Sequence, residues 1–226
     1  MEIIENVHIV PQVDGNTVLI VEPDGLTLID AGLPRTHVRV LRFIESLGRS
    51  RRDLKHILIT HADWDHVGGL PALHRATGAR TYASAVEAQA LAAGRSSRPI
   101  RLPASVSLQR KLLKRFFSPG PFAVDEILQD GQVLPILGGL RVIDTAGHCP
   151  GHVSFFAARH GILFCGDSMV TDNGRLLGSL PHFTWDAAMA RQAVKKQAAL
   201  GARIVSSGHG APVTNPQGNF PIEEPV

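Results

Sequence analysis

The sequence predicts an α/β fold in which two β-sheets stack on each other and carry helices on their outer faces. Three observations indicate this. Short β-prone runs alternate with turn residues, each half of the chain passes from strands to a strand–helix unit, and 44% hydrophobic with 19% charged residues is an ordinary globular composition. A chain of 226 residues can bury a substantial core, and we expect a single domain.

The first half opens with a predicted β-meander. Turn signals at Asp14-Gly15-Asn16 and Pro23-Asp24-Gly25 separate its strands. Gly48 ends the first predicted helix, and a buried strand of high β propensity then ends in a polar cluster. The predicted strands are 3–10, 17–21, 26–29, 56–60 and 80–83, and the predicted helices are 36–47, 68–77 and 85–93.

The second half repeats this organisation. Its main helix, predicted over 185–200, has a small apolar face, and Gly201 follows where a helix-terminating glycine belongs. The predicted strands are 132–135, 140–144, 153–158, 162–165 and 203–206.

The positive charge of the chain is concentrated in one segment. Residues 88–124 contain seven lysine or arginine residues and no acidic residue, whereas the whole chain carries only +3, so the remainder carries −4. Within this segment Leu108, Leu112 and Phe116 recur every four residues between basic side chains. The pattern predicts a basic helical insertion at about 95–122. It is either a solvated lid, a cap that guides an anionic substrate, or a dimer or membrane-surface contact.

The composition also limits partners and compartment. The N-terminus is acidic, without a signal-peptide pattern, and no apolar stretch is long enough to span a bilayer. We therefore expect a cytoplasmic protein with Cys149 and Cys165 reduced and with no membrane span. We also expect a small-molecule substrate and no nucleic-acid partner, and a homodimer is compatible with these features.

The residues that carry chemistry follow predicted strands. His61-Ala62-Asp63-Trp64-Asp65-His66 comes directly after a buried strand and offers four metal-binding side chains within six residues. His148, Asp167 and His209 each follow a later strand and stand beside glycines. Two cysteines are too few for a four-cysteine zinc site, so a bound metal would be held by the histidines and carboxylates.

This pattern resembles the metallo-β-lactamase-fold hydrolases, whose members carry His-x-His-x-Asp-His and then a His, an Asp and a His at strand ends. The resemblance implies a four-layer αββα sandwich with two divalent metal ions at one sheet edge. It assigns one ion to His61, Asp63 and His148, and the other to Asp65, His66 and His209, with Asp167 bridging them. It also implies that Asp30 supports a ligand histidine from behind.

The sequence departs from the family pattern at Asp63, where the family has its second histidine. A carboxylate adds negative charge and a harder donor, which moves the preference toward iron or manganese, although zinc also accepts such ligands. The flavo-diiron proteins of the same superfamily carry Glu at the equivalent place. The alternative is that Asp63 does not bind a metal and that only the Asp65, His66 and His209 site is well occupied.

The predicted function is metal-dependent hydrolysis of an ester, lactone, thioester, amide or phosphodiester bond by a dinuclear centre, with zinc as the expected metal. Asp65 and His66 are the predicted catalytic residues, and His182 and Trp64 are candidates for facing the substrate. The alternative is a non-haem iron oxidoreductase on the same fold, with one or two irons, which the carboxylate at Asp63 motivates.

Overall fold

The computed structural model describes residues 1–13, 15–99 and 120–222. Its first sheet has seven strands in sequence order. They are β1 Glu2–Ile4, β2 Val7–Ile9, β3 Val18–Glu22, β4 Gly25–Ile29, β5 Leu54–Leu58, β6 Arg80–Ser84 and β7 Glu126–Leu128. The first four strands form an antiparallel meander, and β4 to β7 are parallel.

The second sheet has six strands in the order β15-β14-β11-β10-β9-β8, and a separate hairpin pairs β12 with β13. These strands are β8 Val133–Leu134, β9 Leu140–Asp144, β10 Val153–Ala157, β11 Ile162–Gly166, β12 Met169–Asp172, β13 Arg175–Gly178, β14 Ile204–Ser207 and β15 Val213–Thr214. The pair β11 and β14 is parallel, and the other pairs in this sheet are antiparallel.

The described helices lie on the outer faces of the two sheets. They are α1 His37–Ser46, α2 Trp64–Val67, α3 Leu70–Thr77, α4 Ala85–Ala92 and α5 Ala187–Ala198, with 3₁₀ turns at Arg51–Asp53 and Pro181–Phe183. None of the helices in the described part of the chain is both long enough and apolar enough to cross a bilayer.

Three hydrophobic cores establish the layers. Phe155 and Phe164 belong to the core between the sheets, whereas their neighbours Phe156 and Leu163 face α5. This alternation follows from the two-residue period of a strand, and it explains why β10 and β11 are buried on both faces. The third core lies between the first sheet and the helices α1, α3 and α4. The predicted four-layer αββα sandwich is therefore confirmed.

Several element boundaries differ from the prediction for local reasons. The single strand predicted over 3–10 is two strands, because Asn6 adopts a left-handed conformation (φ 64°) between β1 and β2. The helix predicted from 68 is preceded by α2, and α5 begins only after Asp186, whose side chain accepts a hydrogen bond from the Met189 amide. Strands β7, β12, β13 and β15 were not predicted from the sequence.

The predicted helical insertion at about 95–122 lies mostly outside the described residues. The two described ends of that segment, 95–99 and 120–122, are neither helix nor strand.

Candidate metal centre

Four loops deliver the candidate ligands to one edge of the sandwich. The segment after β5, which passes into the short helix α2, carries residues 61–66, and the loops after β9, β11 and β14 carry His148, Asp167 and His209. Strands β9, β11 and β14 run in the same direction, because β9 and β11 are both antiparallel to β10 and β14 is parallel to β11. Their carboxyl ends therefore meet at one edge, which brings the three loops together.

His61 is held with one ring nitrogen turned toward the other candidate ligands. The Thr60 hydroxyl donates to Asp30 Oδ2 over 2.8 Å and lies 3.0 Å from His61 Nδ1. Because a hydroxyl has one hydrogen, Thr60 must accept from His61 Nδ1–H. This leaves the lone pair on His61 Nε2, a buried atom without a hydrogen-bond partner among the described residues. Burial lowers the pKa of His61 well below its usual value, which keeps this lone pair free.

His66 is oriented by the same carboxylate. Its Nδ1 lies 2.8 Å from Asp30 Oδ2, and because an ionised carboxylate only accepts, His66 Nδ1 is the donor. His66 Nε2 then faces Asp167 Oδ1 at 3.3 Å. Burial opposes the charged form, but Asp167 and Asp30 raise the pKa of His66 well above its usual value. Asp30 therefore orients the ring of His66 directly and the ring of His61 through the Thr60 hydroxyl.

Asp167 lies between the other candidate ligands. Its Oδ1 faces His66, and its Oδ2 lies 3.4 Å from His209 Nε2 and 3.8 Å from His148 Nε2. Although burial opposes ionisation, His66 and His209 lower the pKa of Asp167 well below its usual value. One carboxylate therefore presents its two oxygens to different histidines, which suits a ligand shared by two cations.

The remaining ligands form two groups on either side of Asp167. His61, Asp63, His148 and Cys149 bring four donor atoms within 4.8 Å of one another, and we call this group the Asp63 half. Asp65, His66 and His209 bring three donor atoms within the same distance of one another, and we call this group the Asp65 half. His209 Nε2 lies 3.4 Å from Asp65 Oδ2, and hydrogen bonds to Asp167 and Asp65 raise the pKa of His209 to about 9.

The donor set fits divalent cations. His61 Nε2, His66 Nε2 and Asp167 Oδ1 are buried without hydrogen-bond partners among the described residues, which is costly unless another ligand satisfies them. Of the four carboxylates of Asp30, Asp63, Asp65 and Asp167, only that of Asp63 pairs with a guanidinium among the described residues, that of Arg98. In the metal-free protein the raised pKa values of His66 and His209 let protons supply part of the compensating positive charge, and divalent cations would take the place of those protons.

Sequence reasoning missed the contacts that hold Asp63. Ser96 Oγ donates to Asp63 Oδ1 over 2.5 Å, and Arg98 Nη2 donates to Oδ2 over 2.6 Å. Although burial opposes ionisation, His148, His61 and Arg98 lower the pKa of Asp63 far below its usual value. Both contacts come from the basic segment that the charge pattern assigns to a surface insertion, and nothing in that pattern distinguishes Arg98 from the other basic residues.

Glu87 is a second residue that the sequence did not single out. This buried carboxylate of α4 accepts hydrogen bonds from the Ala62 amide (2.8 Å), the Gly151 amide (3.0 Å) and the Ser97 hydroxyl (2.6 Å). It therefore ties together three segments that flank the Asp63 half. The signal in the sequence is weak, because a glutamate in the first turn of a helix ordinarily lies at the surface, where its charge interacts favourably with the helix dipole.

His152 supports Asp167 from the opposite side. Its Nε2 accepts from the Asp167 amide over 3.1 Å, and its Nδ1 lies 2.8 Å from Thr145 Oγ1. Burial lowers the pKa of His152 to about 3, so it stays neutral and keeps this acceptor. Gly208 also belongs to this support, because a Cβ there would lie 2.0 Å from Asp167 Oδ1. The glycine before His209 therefore leaves room for the shared carboxylate.

The two residues expected to face a substrate lie in exposed positions. Trp64, at the start of α2 and next to Asp63, is 42% exposed. His182 is exposed in the second 3₁₀ turn, and its neighbour Phe183 contacts Arg98. Cys149 belongs to the Asp63 half by position, although burial and the carboxylates of Asp63 and Glu87 raise the pKa of its thiol well above the usual value.

Comparisons with known proteins agree with this architecture. A family model described as the metallo-beta-lactamase superfamily matches residues 10–209. The probable metallo-hydrolase YflN of Bacillus subtilis is 27% identical over 210 residues, which cover 85% of this chain and 78% of YflN. A hydroxyacylglutathione hydrolase of Cereibacter sphaeroides is 32% identical over 158 residues, or 69% of this chain and 48% of that protein, so the chain spans about half its length.

Among solved structures, a metallo-β-lactamase of Cronobacter sakazakii with a HARLDQ motif superimposes with a TM-score of 0.72. It is 28% identical to this chain, and the match covers 93% of this chain and 77% of the other. The family match spans most of the described fold and all of the candidate ligands. This chain therefore belongs to the metallo-β-lactamase superfamily, whose members are metallo-hydrolases that bind divalent metal ions.

Proposed function

We propose that this chain is a metal-dependent hydrolase that activates water at a dinuclear centre. The observation that carries the proposal is the convergence of the Asp63 half, the Asp65 half and Asp167, with three buried ligand atoms that have no hydrogen-bond partner in the described part of the chain. In this proposal His61, Asp63 and His148 hold one ion, Asp65, His66 and His209 hold the other, and Asp167 contacts both. Bound divalent ions lower the pKa of a water molecule and polarise the bond under attack.

The residues of the chain have distinct tasks in this mechanism. Asp30 fixes the His66 ring by accepting its Nδ1–H, which directs Nε2 into the centre. Asp65 is partly exposed, and one of its oxygens already lies near His209, so its carboxylate is placed to orient the attacking water and to accept its proton. His209 is 43% exposed and lines the open side, where a substrate enters.

Zinc suits the mixture of imidazole and carboxylate donors, and iron or manganese is favoured by each added carboxylate. The HARLDQ motif of the Cronobacter enzyme has arginine in third place, where residues 61–66 of this chain have Asp63. A member of the superfamily can therefore lack a histidine at this position and still be named a metallo-β-lactamase.

The substrate proposed is a small molecule with an ester, lactone, thioester, amide or phosphodiester bond. The fold does not choose among these bonds. Several relatives near 30% identity are named hydroxyacylglutathione hydrolases, which places thioesters first in a substrate panel.

A non-haem iron oxidoreductase is the second candidate, and Asp63 favours it. His61, Asp63 and His148 form a two-histidine, one-carboxylate group, which is a common ligand set for non-haem iron. Iron as the main metal of protein purified without added metal, together with oxygen uptake, would select this candidate over hydrolysis.

The test of hydrolysis combines elemental analysis with a panel of thioester, lactone and phosphodiester substrates. We expect the purified protein to hold divalent metal and to hydrolyse at least one class, and His66→Ala to lose both metal and activity. His160→Gln is the matched control, because His160 lies in the turn before β11, at the opposite end of that strand from Asp167. Full activity in His66→Ala would refute the proposal.

A further inference from the structure

The stretch Ser96-Ser97-Arg98 contacts two buried carboxylates of the centre. Ser96 and Arg98 each bind one oxygen of Asp63, and Ser97 binds Glu87. The Arg98 amide also donates to Ser96 Oγ over 3.3 Å, which couples the two contacts to Asp63. Asp63 is therefore held on both oxygens by one short segment of the chain.

Arg98 itself is fixed from the opposite side. Its Nη1 donates to the Phe183 carbonyl over 2.7 Å, and its guanidinium lies 5.2 Å from the centre of the Phe183 ring. The side chain is only 14% exposed. A guanidinium is always protonated, so a permanent positive charge is placed at the Asp63 half.

The charge acts on the atom that would bind a cation. Asp63 Oδ2 accepts from Arg98, and the same oxygen faces His148 Nε2 at 3.4 Å and His61 Nε2 at 3.7 Å. The other half differs, because Asp65 and Asp167 form ion pairs only with histidines within the described ranges. A divalent ion in the Asp63 half would share an oxygen with a guanidinium, whereas an ion in the Asp65 half would not.

We infer that the fixed positive charge of Arg98 lowers the metal affinity of the Asp63 half. The Asp65 half therefore binds its ion first, and the Asp63 half binds its ion more weakly. This inference rests on the metal centre proposed above. It also accounts for the carboxylate at position 63, because Asp63 and Arg98 together carry no net charge, like the neutral histidine that the family pattern has there. Arg98 is thus a residue that tunes metal occupancy and does not itself bind metal.

The experiment titrates metal-free protein with Co²⁺ and with Zn²⁺, following absorbance and heat, for wild type, Arg98→Gln and Arg98→Lys. We expect two unequal binding steps in the wild type. Arg98→Gln should strengthen the weaker step at least about tenfold, because a like charge a few ångströms away is removed at a partly buried site. Arg98→Lys keeps the positive charge and should keep the difference in affinity between the two metal-binding steps.

Arg95→Gln is the matched control, because it removes one positive charge from an exposed position in the same segment and should leave both steps unchanged. Arg98→Met, which retains the stem that lies against Phe183, replaces Arg98→Gln if that variant does not fold. Two equal steps in the wild type, or a weaker step that is unchanged or weakened by loss of the Arg98 charge, would overturn the inference. A wild type that binds neither metal would instead refute the proposed function.

Discussion

The Asp63 half and the Asp65 half use similar ligands but differ in how the protein surrounds them. Every member of the Asp63 half is buried, whereas the Asp65 half includes His209, 43% exposed, and Asp65, 24% exposed. Among the described residues, solvent therefore reaches the Asp65 half, and the Asp63 half is enclosed. In the proposed function, the reactants therefore approach from the Asp65 half, while the surrounding protein fixes the ligands of the Asp63 half.

The two halves also differ in what stabilises their carboxylates. Asp63 is bonded on both oxygens by Ser96 and Arg98, while Asp65 is paired with histidines alone among the described residues. A carboxylate that already has a permanent partner needs a bound cation less than one that does not. The Asp63 carboxylate therefore has a permanent charge partner in the absence of metal, and the Asp65 carboxylate does not among the described residues.

Asp167→Asn should have the largest effect, because this carboxylate faces both halves. Asparagine retains the shape but removes the charge and turns an amide NH₂ toward a histidine. We expect metal content to fall in both halves and hydrolysis to fall about 10³-fold, which corresponds to several kcal/mol of lost charge stabilisation. Metal per chain and the rate on the best substrate of the panel measure this.

The matched control is Asp24→Asn, which changes the same group at an exposed turn between β3 and β4. If Asp167→Asn emptied one half and left the other filled, Asp167 would belong to a single half.

Glu87→Gln should affect the Asp63 half selectively. Three donors point at the Glu87 oxygens, and a Gln amide nitrogen would oppose at least one of them. We expect the free energy of unfolding of the metal-free protein to fall by about 1–3 kcal/mol. The weaker metal-binding step should weaken by about 10–100-fold, as for other residues that orient ligands. Urea denaturation and metal titration test the two effects.

Glu45→Gln is the matched control for Glu87→Gln, because it makes the same change in an exposed ion pair with Arg51. Such an exposed pair contributes little to the free energy of unfolding. Equal weakening of both metal-binding steps by Glu87→Gln would mean that Glu87 supports the whole edge of the sandwich and not one half.

The sequence predicted the layers of the fold because they depend on periodicity. The alternation in β10 and β11 assigns residues to two cores. The ligands were predicted together because each follows a predicted strand and because their pattern resembles that of the metallo-β-lactamase-fold hydrolases. Boundaries such as the break at Asn6 depend on one left-handed residue and were not predicted.

The supporting contacts could not be predicted in the same way. Arg98 and Glu87 act across about 25 to 65 residues of sequence, and their types are ordinary for a charged surface. Their roles follow from burial and from the geometry of loops, for which a local pattern contains no signal. Asp30 differs because it stands at the end of a strand within a recognisable motif.

The smallest expected effect concerns His209 and the pH dependence of stability. In the metal-free protein, hydrogen bonds to Asp167 and Asp65 raise the pKa of His209 from 6.5 to about 9. The folded state therefore holds this proton more tightly than the unfolded state. The resulting stabilisation is fully present below about pH 6.5 and is lost as the pH rises through 9. Bound cations compete for the same ring nitrogen, so they should reduce this dependence.

Thermal unfolding in a chelator between about pH 6.5 and 7.5 tests this, because the cysteine thiols of the unfolded chain, with a pKa of about 8.5, stay mostly protonated there. We expect the melting temperature to fall with rising pH in the wild type, less steeply in His209→Gln, and as in the wild type in His160→Gln. His66, whose pKa is also raised, should account for the slope that remains. An unchanged slope in His209→Gln would mean that the open half holds no extra proton, and the contrast between the two halves would then rest on burial and on Arg98 alone.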